Sequence, residues 1–222
     1  MKTTLVILIL ATVSTFCLAQ DTLHVSSFPQ PSEVRKIDSR ADLKLSVLVA
    51  MHTQPDIIVY KDSREAPYMA VNTAYDFDAG KDDWIVWKLP LVEWDIEFAS
   101  IDTFQIDQKG KPEIILQWRH DQAFGSGSLG GNHVKGMQIW NVDTQTLLLD
   151  MINYEDYSRQ DDNTEAYYEC HQQVALSNGG LLIKKVEGAS CHAYQDTGYG
   201  TFQAFPEGFY LYLDGKWTKQ PK

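Results

Sequence analysis

Two stretches of this chain hold side chains that could do acid and base chemistry. The run "YEDYSRQDDNTEAYYE" (154–169) sets Glu155, Asp156, Asp161, Asp162, Glu165 and Glu169 among tyrosines, and "RHD" (119–121) sets a histidine between opposite charges. Two carboxyl groups at a fixed separation can cleave a glycosidic bond, one protonating the leaving oxygen while the other attacks or activates water. Acidic runs are more often solvated surface, and that is the expectation for 154–169. A third stretch, "GSGSLGG" (125–131), has Gly125, Gly127 and Gly130 at dinucleotide-binding spacing, and Ser128 with His120 and His133 nearby in sequence. Phosphate cradling and a nucleophile elbow both need a helix to begin at that point. The residues that follow, "GMQIWNV", read as a strand, so the stretch is expected to be a glycine-rich loop, of the kind that can cover a ligand.

"FQIDQKGKPEIILQW" (104–118) raises metal binding, because a hard cation takes several oxygen ligands, mostly charged. The segment resembles the FG-GAP or VCBS type of repeat over about fifteen residues, most closely at Gly110, Lys111, Pro112 and Glu113 running into Ile114, Ile115 and Leu116. The resemblance implies an extracellular β-propeller whose loop carboxylates hold calcium. Its alternating acidic positions fall on Gln105, Asp107 and Lys109, and its last aspartate on Glu113, so only Asp107 and Glu113 remain as candidate ligands. Lys109 would put an ammonium beside the ion, which opposes binding. The expectation is therefore a turn at Lys109-Gly110 with Pro112 opening a strand, and no bound calcium. A second segment, "GMQIWNVDTQTLLL", is similar to the last strand and turn of a tryptophan-aspartate propeller blade, but no repeat at a period near 40 to 45 residues accompanies it.

Cys170 and Cys191 flank "SNGG", a turn sequence between "HQQVAL" and "LLIKKVEG". Folding that hairpin would bring the two cysteines to roughly opposite positions, and a disulfide between them is expected in an oxidising compartment. Each cysteine precedes a histidine, which also suits zinc. Adjacent strand residues point to opposite faces, however, so one metal could not easily gather all four side chains.

The elements that must position these groups are strands. "DIIVY", "YMAVNTAY", "DWIVWKL", "WDIEFASI" and "EIILQW" are short, rich in β-branched and aromatic residues, and bounded by Pro, Gly or Asp. "LKLSVLVAM" alternates Leu43, Leu45, Val47 and Val49 on one face, although a helix capped by Ser39 and Asp42 also fits there. "GMQIWNV" and "LLLDMINY" are joined by "DTQT", and "FYLYL" and "KWTK" by Asp214-Gly215, a strong signal for a tight hairpin. In "GFYLYLD" the core side is expected to be Phe209, Leu211 and Leu213, leaving Tyr210 and Tyr212 on the other face. Trp84 and Trp87 point opposite ways along one strand, so one of them is expected at the surface. Trp84, Tyr210 and Tyr212 are thus candidate ligand-binding residues, since exposed aromatic faces on a sheet stack on sugar rings. The fold class expected is all-β, mainly antiparallel, a meander forming a sandwich, barrel or propeller-like domain.

Residues 1–19 have one lysine, an apolar run from Leu5 to Val13 and small residues around Ala19, the layout of a cleaved secretory signal. Lipidation at Cys17 is not expected, because Phe16 stands where a small residue is wanted. Residues 20–41 read as an irregular leader and 42–222 as a single β-rich domain. No later segment is apolar for long enough to span a membrane. Loss of 1–19 removes Lys2 and no acid, taking the formal net charge from -11 to -12. That charge repels phosphate backbones and disfavours nucleic acid as a partner. The reading is a secreted or periplasmic, non-catalytic domain that binds carbohydrate or protein. An extracellular hydrolase acting on polysaccharide and a structural envelope component are the alternatives.

Overall fold

The computed structural model describes residues 22–25, 28–31, 33–37, 46–52, 56–61, 66–76, 81–90, 96–106, 109–124, 129–161, 164–177, 179–188, 202 and 204–221. The chain is all-β and antiparallel, in two sheets that do not close into a barrel. The small sheet takes β2 (Val34–Ile37), β3 (Ser46–His52), β4 (Asp56–Lys61), β5 (Pro67–Asp76) and β6 (Lys81–Lys88), in the order β2-β6-β5-β4-β3. The large sheet takes β7 (Ile96–Phe104), β8 (Glu113–Ala123), β9 (Leu129–Asn141), β10 (Thr146–Asp161), β11 (Thr164–Ser177), β12 (Gly180–Glu187), β13 (Gly208–Leu213) and β14 (Lys216–Lys219), with β1 (Thr22–His24) added beside β14. From β7 to β14 each strand pairs with the next one in sequence, a plain meander. Two strands thus come from within 20–41, the stretch expected to be irregular: Leu23 pairs with Trp217, and Ile37 with Trp84. Between them Gln30 acts as a one-residue strand, accepting from the Leu147 amide at 2.9 Å and donating to its carbonyl at 3.1 Å.

Both faces of the large sheet bury apolar side chains. One face packs Ile114, Leu116, Trp140, Val142 and Leu147 against Ile57, Val59, Met69, Val71 and Trp87 of the small sheet. On the other face the sheet rolls over on itself, so that Ile115, Met137, Ile139, Leu149 and Met151 meet Leu181, Ile183, Tyr210 and Trp217. The Trp217 indole N–H closes the roll by donating to the Leu148 carbonyl at 2.8 Å, joining β14 to β10 across three intervening strands. A buried indole N–H usually finds such an acceptor, although among the described residues those of Trp84, Trp87 and Trp118 are buried without one.

The roll explains two differences from expectation. Tyr210 is fully buried with its hydroxyl donating to the Pro206 carbonyl at 2.8 Å, and Tyr212 packs on Trp217, while Leu213 is exposed. The core face of β13 is therefore the tyrosine face, the reverse of the reading that placed Phe209, Leu211 and Leu213 inside. Neither Trp84 nor Trp87 reaches the surface: Trp87 lies between the sheets, and Trp84 packs with Ile58, Tyr60, Tyr68, Ala70 and Val86 on the opposite, equally buried face. A strand buried on both faces leaves no exposed tryptophan for a sugar. Leu43 and Leu45 lie outside the described residues, and from Val47 to Val49 the expected alternation breaks, because the register shifts between them. Leu48 and Val49 both pack on the core between the sheets, and Val47 is half exposed. Among the described residues no helix is long and apolar enough to cross a membrane.

Candidate functional site

The groups singled out for chemistry converge on one end of the large sheet, where β8 to β11 run on past the roll. β13 pairs only with Gly180–Ile183 of β12, so it does not reach this end. Register lines up two rows across it. In the first, Glu97 faces Arg119, Arg119 faces Lys135, Lys135 faces Tyr154, Tyr154 faces His171 and His171 faces Glu187. In the second, Asp121 faces His133, His133 faces Asp156 and Asp156 faces Glu169. These side chains share the face that buries Met137 and Met151 further along the same strands, but here they meet solvent. Shifts of register between Ile152 and Tyr154 and between Gln172 and Val174 mark the change.

Neighbours in the rows touch. Arg119 Nε donates to Glu97 Oε2 at 2.8 Å, a bond that raises the guanidinium's pKa. His133 Nδ1 lies 2.9 Å from Asp121 Oδ1, and that hydrogen bond holds the Asp121 carboxyl below its usual range. The Lys135 ammonium sits 4.8 Å from the Tyr154 ring centroid, and His171 Nε2 is 3.2 Å from Glu187 Oε2. The Tyr167 hydroxyl donates to Glu169 Oε2 at 3.1 Å, which pushes the phenol's pKa up. We call this surface the plateau.

The opposite face of the same strands is closed. Glu155 is fully buried and accepts the Phe202 amide at 2.7 Å; Gln172 exchanges two hydrogen bonds with the Phe205 backbone, of 2.6 and 2.8 Å. Tyr157, Tyr168, Cys170 and Phe202 pack there, and burial, then the Glu155 charge, pushes the Tyr168 phenol up to about 12. The Trp118 indole lies flat on Gly136, where any Cβ would collide with the ring. Adjacent acids of the 154–169 run therefore divide: Glu155 latches a backbone segment inside, while Asp156 stands on the plateau. These two cannot act on one substrate.

The calcium candidates sit elsewhere. Glu113 is fully buried and serves the chain's own donors, Oε2 accepting the Ile106 amide at 2.8 Å and Oε1 the Asn141 amide group at 3.2 Å. Asp143 accepts the Lys111 amide at 3.0 Å and lies against Gly110, whose φ of 66° favours glycine. Asp107 lies outside the described residues, as do Ser128, Cys191, and the signal segment with Cys17. Cys170 is buried, and the Cα of Cys170 lies close against Gly188, three residues before Cys191. Among the described residues no three His, Cys, Asp or Glu side chains are grouped to hold a metal. A groove of about 530 Å³ lies near the other end, between Gln30, Pro31, Val34, Thr144, Gln145 and Gly215, and among the described residues no titratable group lines it.

Lys135 and Glu187 carry no sequence signal of their own, and His171 stands out only as a zinc candidate beside Cys170; all three join the set through strand register. No protein-family model, curated protein or solved structure matches this chain. The fold defines it as an all-β protein of two stacked antiparallel sheets.

Proposed function

We propose that the mature chain is a secreted or periplasmic, non-catalytic binding domain that engages its partner through the plateau. The observation that supports this most is the two registered rows of exposed and part-buried polar and aromatic side chains, spread side by side over β7 to β12 along one sheet face. Enzymes surround their substrates in concave sites that exclude water, whereas a flat, rigid face suits recognition of an extended partner. The export signal read in residues 1–19 accounts for the compartment, and the same compartment favours a disulfide between Cys170 and Cys191. That bridge would fasten the segment already held by Glu155 and Gln172, so the back of the plateau strands cannot peel away.

The test is a binding screen against immobilised glycans and extracellular proteins, run beside a panel of hydrolase substrates. Tyr167→Ala and Arg119→Ala should each abolish the strongest interaction found. Turnover of any substrate that Asp121→Asn removes would overturn the non-catalytic reading. Intact mass before and after reduction tests the bridge: two free thiols in the secreted chain would sink it.

A further inference from the structure

The middle of the plateau holds a feature that works against the fold. Asp156 and Glu169 stand directly opposite each other on β10 and β11, and like charges so placed destabilise a strand pair. Among the described residues neither is bridged to a lysine or arginine. Two phenols flank the group: Tyr167 donates to Glu169 at 3.1 Å, and Tyr154 stands two residues from Asp156 on the same face of β10. Burial, and after it the charges of Asp156 and Glu169, make Tyr154 harder to ionise. One cation of the chain is already drawn to the edge of this group, the Lys135 ammonium over the Tyr154 ring.

We infer that Tyr154, Asp156, Tyr167 and Glu169 form a recognition centre for a basic segment of a partner protein, with a lysine or arginine side chain of that segment docking between the two carboxylates. The inference rests on the binding role proposed above and names the ligand class. Charge complementarity selects it. The two rows hold the carboxylates Glu97, Asp121, Asp156, Glu169 and Glu187 against the cations Arg119 and Lys135, and both cations already have partners in Glu97 and the Tyr154 ring. The formal net charge of the whole chain, -11, extends the same field and would speed the approach of a positive partner. An incoming ammonium or guanidinium would relieve the Asp156–Glu169 repulsion, so a contact that costs the free fold stability is turned into affinity. Tyrosine faces add a cation–π contribution. Neutral sugar fits less well, because one face of Tyr154 is already covered and the Tyr167 hydroxyl is engaged with Glu169.

The experiment is calorimetric titration of the purified chain with a ten-residue lysine-rich peptide, and with the same peptide acetylated on every lysine. The unmodified peptide should bind, weakening as salt rises. Acetylation, or Asp156→Asn combined with Glu169→Gln, should weaken binding by about tenfold or more. The double variant should also melt at a higher temperature than the native chain, which separates lost recognition from lost folding. Asp214→Asn, in the far hairpin turn, should leave binding within about twofold. Equal binding of the acetylated peptide, native affinity in the double variant, or no binding of the unmodified peptide at low salt each overturns the inference. If the lysine peptide fails while another partner is lost on Tyr167→Ala, the plateau keeps its binding role and only the basic ligand is wrong.

Discussion

The two ends of strands β8 to β10 differ more than the two sheets do. At one end Ile115, Met137, Ile139, Leu149 and Met151 lie in the rolled core; at the other, on the same face of the same strands, stand Arg119, Asp121, His133, Lys135, Tyr154 and Asp156. No new element separates them. The covering strands simply stop, and the pairing slips by a residue between Ile152 and Tyr154. The lesson is that a long strand can be anchored at one end and spend the other on display, with the ladder between them fixing the spacing of the displayed groups.

That division predicts a ranking of substitutions. Trp217→Ala empties the largest buried side chain of β14 and removes its bond to Leu148, and should cost about 3–5 kcal/mol in urea unfolding. A loss no greater than that of a plateau substitution would break the comparison. Glu113→Ala strips the acceptor from the Ile106 amide and the Asn141 side chain in a buried setting, an expected loss of about 3 kcal/mol.

Asp150 sharpens the contrast through pH. It stands in the stacked part of the sheet beside Gln138, which donates to it at 3.3 Å, and burial pushes its carboxyl up to about 6 from the ordinary 3.8. Between those values the folded chain keeps a proton that the unfolded chain has lost, so stability falls as pH rises through that window. The full penalty, at most about 3 kcal/mol, is present above the folded pKa. Asp150→Asn should therefore stabilise the protein near pH 8, change little near pH 4, and flatten the pH dependence of the melting temperature between. The smallest effect belongs to the plateau: Lys135→Ala should cost about 0.5–1 kcal/mol, less in high salt. Thermal melts at two salt concentrations would measure it.

Much of the local architecture is legible in the residues. Asp214-Gly215 makes its hairpin turn with φ of 51° and 79°, as the sequence predicts, and "DTQT" joins β9 to β10. "EIILQW" forms a strand, as expected, and buries Ile114, Leu116 and Trp118. What failed to show is long-range. Alternation tells two faces apart but not which is inside, and when a sheet rolls until both faces are covered, Tyr210 is as good a core residue as Phe209. Val34 to Ile37 is mostly exposed and has no apolar rhythm, so only its pairing with β6 makes it a strand. Glu113 illustrates the same limit for sites. A carboxylate before an apolar run looks like a ligand for a cation, and only the folded loop reveals that an amide from residue 106 reaches it first. The plateau was half visible, through "RHD" and the 154–169 acids, but the register that pairs them lay beyond any local pattern.

The pairing of Leu23 with Trp217 has a consequence for the order of events during folding. A wall whose first plank is nailed to its last stays open until nearly every residue has arrived. Because contacts between such distant residues close large loops, the seam should form late and slowly.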